Sequence, residues 1–241
     1  MLTELQPAFV LHRRPFRNTS LLREAFTKEQ GRIGLVARGA SRPQARWRAL
    51  LQPFSPILLA WRDGAELATL RTAEENGQPY AIPAARLLSG FYLNELLLHL
   101  LTRYDPYTKL FDAYLLALHG LATASSEEPV LRRFEKNLLD ELGYGLQLTV
   151  DSVSGESIRS ERRYHYEPQF GLRQAIGTSS YWTISGHALL ALHADQLSEP
   201  QVLKEVKALM RVAIGAYLQK PLRSREIMTR IQQRRHNTTS V

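Results

Sequence analysis

The stretch Gly31–Arg62, GRIGLVARGASRPQARWRALLQPFSPILLAWR, alternates short apolar runs with turn residues. RIGLVARG and SPILLAW are each of strand length, and Gly31, Gly34, Gly39, Pro53 and Pro56 punctuate them. Short runs bounded by glycine and proline predict strands rather than helices. Moving outward, AFVLHRR and SLLREAFT precede the stretch and AELATLRT follows it, after Gly64. Five short strands with turns between them predict a small β-barrel of the OB-fold kind over residues 1–80. Gly34 and Gly39, inside or beside a strand, predict a bulge or sharp bend such as barrel closure uses.

The same stretch carries six arginines and no carboxylate, the nearest being Glu29 and Asp63. Solvated surfaces normally mix both signs, so a one-sided segment points to an anionic partner. The net charge of +8 is unevenly spread. Residues 12–48 hold ten Lys/Arg against Glu24 and Glu29, a local +8, and residues 201–241 hold nine against Glu205 and Glu226, a local +7. The remainder of the chain is −7. Two basic segments on an otherwise acidic protein fit a polyanion, nucleic acid being the commoner case.

Beyond a turn-rich linker, Glu75–Pro83, the apolar period becomes helical. Leu87, Leu88, Phe91, Leu93, Leu96, Leu97, Leu100 and Leu101 surround their helix almost completely, which predicts a central place in a bundle. Residues 107–121 repeat the pattern. EPVLRRFEKNLLDELGYG opens with Pro129 in a first-turn position and closes on Gly143, a natural left-handed C-terminal cap. Residues 149–184 lose the helical period and predict a β-hairpin or irregular excursion. Val202, Val206, Leu209, Ala213 and Tyr217 then mark one face of a further helix. The fold class is α+β, with a barrel over 1–80 followed by a mainly helical domain over 81–241.

Composition narrows the chemistry. With no cysteine, the chain has no disulfide, cysteine nucleophile, Cys-ligated zinc or iron–sulfur cluster. The N-terminus lacks the pattern of a signal peptide, and LLSGFYLNELLLHLL is interrupted by Asn94, Glu95 and His99 and too short for a bilayer. A soluble, cytoplasmic protein without membrane contact is expected. None of the seven histidines stands at a metal-ligand spacing. The glycines form no phosphate loop, and Asp140–Glu141 are adjacent helix positions facing different ways. No cofactor, metal or catalytic residue is expected.

Taken in order, AFVLHRRPFRNTSLL, GRIGLVARGA, LLQPFSPILL, GFYLNELL, LRRFEKNLLDELGYG and KPLRSRE resemble the RecO family of bacterial recombination mediators. The resemblance spans nearly the whole chain and is weakest between about 150 and 200. It implies an OB-fold followed by a helical domain, and a non-enzymatic role in DNA repair at the nucleoid. It also implies binding to single- and double-stranded DNA (ssDNA and dsDNA), annealing of complementary strands, and help in loading the recombinase RecA. RecR and the C-terminal tail of single-strand-binding protein (SSB) are the partners it implies. Many members carry a four-cysteine zinc site after GYG; here that segment reads LQLTVDSVSGESI, so the site is not carried over. The excursion is then held by packing alone, or is looser.

The residues expected to meet DNA are Arg13, Arg14 and Arg17 around the first turn, with Arg38, Arg42, Arg46 and Arg48 around the Gly39–Pro43 loop. Guanidinium forks grip phosphate oxygens at two points and read no sequence. Trp47, between two arginines, is either a platform for a stacked base or barrel-edge packing. Arg223 and Arg225, in the second basic segment, either extend a DNA path or complement a helix end. For the SSB tail, an acidic peptide, the resemblance carries over Arg132 and Arg133 as rim cations and Leu139 as a pocket residue. The competing reading of that helix is an ordinary solvated charged face. The competing functions are an RNA-binding OB protein and a DNA-processing enzyme, the latter lacking a carboxylate cluster for Mg²⁺ in the basic segments.

Overall fold

The computed structural model of the 241-residue chain describes residues 2–16, 20–37, 47–64, 67–176 and 182–239. Within these elements the side chains of residues 15, 16, 20–22, 47, 48, 232 and 234–239 are outside the description. Two compact units emerge, Met1–Ala124 with Gln219–Val241, and Ser125–Leu218.

The first unit is built on a closed barrel of β1 (Gln6–Phe16), β2 (Ser20–Thr27), β3 (Gly31–Ala37), β4 (Ile57–Arg62) and β5 (Ala68–Glu75). The order β1-β2-β3-β5-β4 closes through antiparallel pairing of β1 with β4, and only β3 and β5 run parallel. This is the expected OB-like barrel, five strands at the expected places. Alternation places Ile33, Leu35 and Ala37 of β3 and Ile57, Leu59 and Trp61 of β4 in the interior. A short helix α1 (Trp47–Leu50) stands between β3 and β4.

The bulges lie elsewhere than expected. β2 and β3 pair without a register shift from Leu21↔Ala37 to Thr27↔Gly31, through Gly34. The shifts occur between Val10 and His12 of β1 and between Ala60 and Trp61 of β4, where β5 carries an extra residue. Gly34 serves close approach instead: a Cβ there would stand 2.9 Å from Leu67 and 3.2 Å from the Arg103 guanidinium. Gly39 lies outside the described residues. Gly31 is needed twice over, with φ of +66° and Asp105 O only 1.7 Å from a would-be Cβ.

The first half of β1 is buried on both faces over Ala8–Leu11, which explains its continuous apolar run. Ala8 and Val10 face the core, whereas Phe9 meets Phe111 and Tyr114 at ring-centroid distances of 5.7 and 5.2 Å. The latter two belong to α3 (Thr108–Thr123), and α2 (Leu87–Leu100) also packs on β1. The expectation that α2 is buried all round is corrected: Leu87 and Phe91 are exposed, because α2 lies on the barrel rather than inside a bundle. Helix α7 (Arg223–Thr239) packs against α2 and completes this unit.

The second unit holds α4 (Glu128–Glu141), α5 (Gly186–His193), α6 (Pro200–Gly215) and a sheet ordered β7-β6-β8. Its strands are β6 (Arg163–Glu167), β7 (Gly171–Gln174) and β8 (Ile184–Ser185). α4 begins with Pro129 in its first turn and stops at Gly143, φ +80°. There Gly143 N donates to Asp140 O (3.1 Å) and Tyr144 N to Leu139 O (2.8 Å), a Schellman cap. The excursion therefore contains the expected hairpin, β6–β7, with β8 added to its edge.

Candidate nucleic-acid interface

Arg13 and Arg14 lie on the second half of β1, beyond the bulge at Leu11, and both are exposed. That bulge is fixed by α2. Asn94, buried in a mainly apolar helix, donates from Nδ2 to Leu11 O at 3.1 Å, and its Oδ1 accepts the Tyr114 hydroxyl. Burial and the neighbouring Tyr80 raise the Tyr114 pKa far above the ordinary phenol value, so it stays a neutral donor.

Arg13 faces Arg23 across the β1–β2 ladder, and its Nη1 donates to Gln52 Oε1 at 3.2 Å. Neither Arg13 nor Arg14 forms an ion pair among the described residues. Other cations of the basic segment are engaged. Lys28 bonds Asp112 at 2.9 Å, and Arg32 bonds Glu24 at 3.3 Å and Leu101 O at 3.1 Å. Glu24 also takes a short contact from Arg103. Arg17, Arg38, Arg42 and Arg46 lie outside the described residues. Trp47 and Arg48 fall in α1, their side chains outside the description.

The second basic segment is divided between the units, and its part from Gln219 on, with Arg223 and Arg225, belongs to the same compact unit as the barrel. Glu95 of α2 caps the start of α7: its Oε1 accepts Arg223 N at 2.8 Å, and its Oε2 accepts Ser224 N and Oγ at 2.9 and 2.6 Å. A carboxylate at a helix N-terminus answers both the orphan donors and the dipole. The Arg223 side chain stays exposed. Arg225 is held by Tyr92, bonding its hydroxyl at 2.9 Å with the guanidinium 5.2 Å from the ring centroid. Asn94 and Glu95, which at sequence level only interrupt an apolar run, thus anchor β1 and α7. An isolated polar residue on a buried helix face was the available signal.

In the second unit, the residues expected on one rim separate. Arg132 is 4% exposed, with Nη2 3.0 Å from the fully buried Glu135 and 4.0 Å from Glu128. Arg133 is exposed and donates from Nε to Asp195 Oδ1 at 2.7 Å. Lys136 donates to Leu192 O and His193 O at 3.1 and 3.2 Å, so α4 supplies cations to the carbonyl end of α5. Leu139 is fully buried. Glu128 also accepts from Lys207 of α6, at 2.5 Å.

The segment after GYG is organised by Asp151 rather than by packing alone. One carboxylate oxygen accepts Val153 N and Ser154 N, both at 2.9 Å, and the other accepts Gln174 N at 2.6 Å. Burial would raise its pKa, but the hydrogen bonds from Ser154, Val153 and Gln174 outweigh burial and hold the carboxyl below the usual aspartate value. Zinc does not fit here: the chain has no thiolate, and among the described residues no three His, Asp or Glu stand close enough to hold a metal. Among the described residues no helix is long and apolar enough to cross a membrane.

Two family models match the chain: "Recombination protein O N terminal" over residues 1–76 and "Recombination protein O C terminal" over residues 84–226. The DNA repair protein RecO of Nitrosospira multiformis is 43% identical over 233 residues, 95% of this chain and 96% of that protein. The protein of the same name from Coxiella burnetii is 42% identical over 225 residues, 93% of this chain and 97% of the relative. That of Methylococcus capsulatus is 44% identical over 224 residues, 92% of each.

Proposed function

Because the chain belongs to the RecO family of DNA repair proteins, with a role in repair and recombination, we propose that it binds DNA backbone through the barrel and anneals complementary strands. Annealing sets two requirements. Repulsion between two phosphate backbones must be offset by cations, and base edges must stay free to pair. Arginines aimed at phosphates meet both, whereas deep base pockets would meet neither.

The observation that carries this reading is the state of Arg13 and Arg14. They are exposed, on a barrel strand and without an internal carboxylate partner among the described residues, while Arg32 and Lys28 nearby are neutralised. The adjacent sequence adds Arg17 on one side and Arg38, Arg42, Arg46, Trp47 and Arg48 on the other. Arg223, exposed in the same compact unit, is proposed to contact DNA as well; Arg225, tied to Tyr92, is proposed to brace α7 beside it.

An SSB tail is proposed to dock on α4 of the second unit. Arg133 is its exposed cation, Arg132 lies beneath it in the pair with Glu135, and Leu139 supports the helix from the core. Docking there would deliver the protein to SSB-coated strands, where with RecR it assists RecA loading. The deciding experiment is annealing of complementary strands coated with intact SSB or with SSB lacking its tail. Faster annealing than the protein-free control, stronger with the tail present, is expected. No acceleration on either substrate would overturn the reading.

A further inference from the structure

β2 places one arginine where the barrel provides nothing for it. Arg23 is directly opposite Leu35 of β3 and two residues from Ala25, both members of the interior cluster, so its side chain shares their face. It is 1% exposed, and Nε, Nη1 and Nη2 are all buried without a hydrogen-bond partner. The other buried or half-buried guanidiniums described above have acceptors: Arg132 has Glu135, and Arg32 has Glu24 and Leu101 O. Glu24 is next to Arg23 in sequence, but alternation turns it to the opposite face, toward Arg32 and Arg103.

Two further features raise the cost of this arrangement and point to its use. Directly across the ladder stands Arg13, a second cation on the same face. Burial, followed by the charge of Arg13, lowers the Arg23 pKa to about 10, which still leaves it charged at neutral pH. Among the described residues of this unit, the buried side-chain atoms without a partner are the three Arg23 nitrogens and Trp61 Nε1. All four are donors. Three spare guanidinium donors with a second cation directly opposite favour an acceptor-only anion over water, which must also donate.

We propose that Arg23, with Arg13 opposite it, is a seat for one tetrahedral oxyanion at the end of the barrel, filled by a phosphodiester of the bound DNA strand. This rests on the DNA-binding reading above and adds a residue to it. Arg13 and Arg14 would grip the backbone at the surface. Arg23 would take one phosphate deeper, giving the bound strand a fixed register without reading its bases. β1, β2 and β3, which frame this pair, continue into residues 17–19 and 38–46, whose sequence supplies Arg17, Arg38, Arg42 and Arg46. Reaching the seat requires displacement of whatever covers Arg23, so binding is expected to be slower to form and slower to dissolve than surface contact alone.

The test is Arg23→Met, close in volume and free of donors, read in two arms. In the first, affinity for labelled ssDNA is measured across salt concentrations. The variant is expected to bind about tenfold more weakly and with a log K against log salt slope shallower by roughly 0.7. In the second, melting of the full chain is followed in inorganic phosphate and in chloride at equal ionic strength. The wild type is expected to gain stability in phosphate and the variant to lose that gain, while melting no lower than wild type in chloride. ssDNA binding and slope unchanged in Arg23→Met overturn the phosphodiester seat, which becomes one for free anions if the variant still loses the phosphate gain and no seat at all if it keeps that gain. A wild type with no salt-dependent ssDNA binding sinks the DNA-binding reading itself, and the phosphate arm then still judges Arg23. Should Arg23→Met fail to fold, the wild-type phosphate arm and Arg23→Lys, which keeps the charge but loses the fork, decide the matter; equal phosphate response in both excludes a guanidinium seat.

Discussion

Asn94 of α2 donates to the carbonyl of Leu11, 3.1 Å away, at the one place where the β1–β2 register slips. A bulge frees a backbone group from the ladder, and in this buried setting the freed group needs a partner. Replacing Asn94 with Leu removes both the donor to that carbonyl and the acceptor of the Tyr114 hydroxyl. The expected cost is roughly 2–4 kcal/mol, read as a lower urea midpoint with an unchanged m-value. An unchanged midpoint would mean that the bulge is held by other contacts.

Asp151 ties the excursion together, accepting from Val153 N, Ser154 N and Gln174 N. Its folded pKa lies below the ordinary value, so its contribution is complete above about pH 4 and is lost as pH falls through the folded pKa. Asp151→Ala is expected to cost about 1.5–3 kcal/mol at neutral pH and to flatten the acid limb of the stability profile. Chelators are expected to leave the wild-type melting temperature where it was. A chelator-sensitive transition would contradict this assignment.

Glu95 ties α7 to α2 by accepting from Arg223 N, Ser224 N and Ser224 Oγ. Glu95→Ala removes an N-terminal cap worth about 1 kcal/mol. Amide exchange in the first turn of α7 is expected to accelerate by roughly fivefold, with the barrel amides unaffected. Uniform acceleration across the unit would instead mark Glu95 as part of the global fold.

Much of the barrel was legible because strands and turns are written locally. SLLREAFT and ILLAWR carry their own period, and Gly143 and Pro129 announce helix ends through backbone chemistry alone. What was not legible depends on which face meets what. The apolar positions around α2 could not reveal that Leu87 and Phe91 stay exposed, since the helix lies on a barrel. Gly34 read as a bulge because a glycine needed for the approach of Arg103 looks the same in sequence. The burial of Arg132 was foreshadowed by Glu135 three positions on and Glu128 four positions back, both helical neighbours. Arg23 shares the phase of Ala25, so its inward turn followed from the strand period once the register was known.

We propose that guanidinium groups of the first basic segment neutralise DNA phosphates. Seven arginines of the first basic segment would share that role, namely Arg13, Arg14, Arg17, Arg38, Arg42, Arg46 and Arg48. The most direct test is the salt dependence of ssDNA binding, compared between wild type and the double variant Arg13→Gln, Arg14→Gln. The wild-type log–log slope is expected to be about −5, at roughly −0.7 per phosphate, and that of the variant shallower by about 1.4. A wild-type slope near zero, or one identical in the variant, would contradict the proposal.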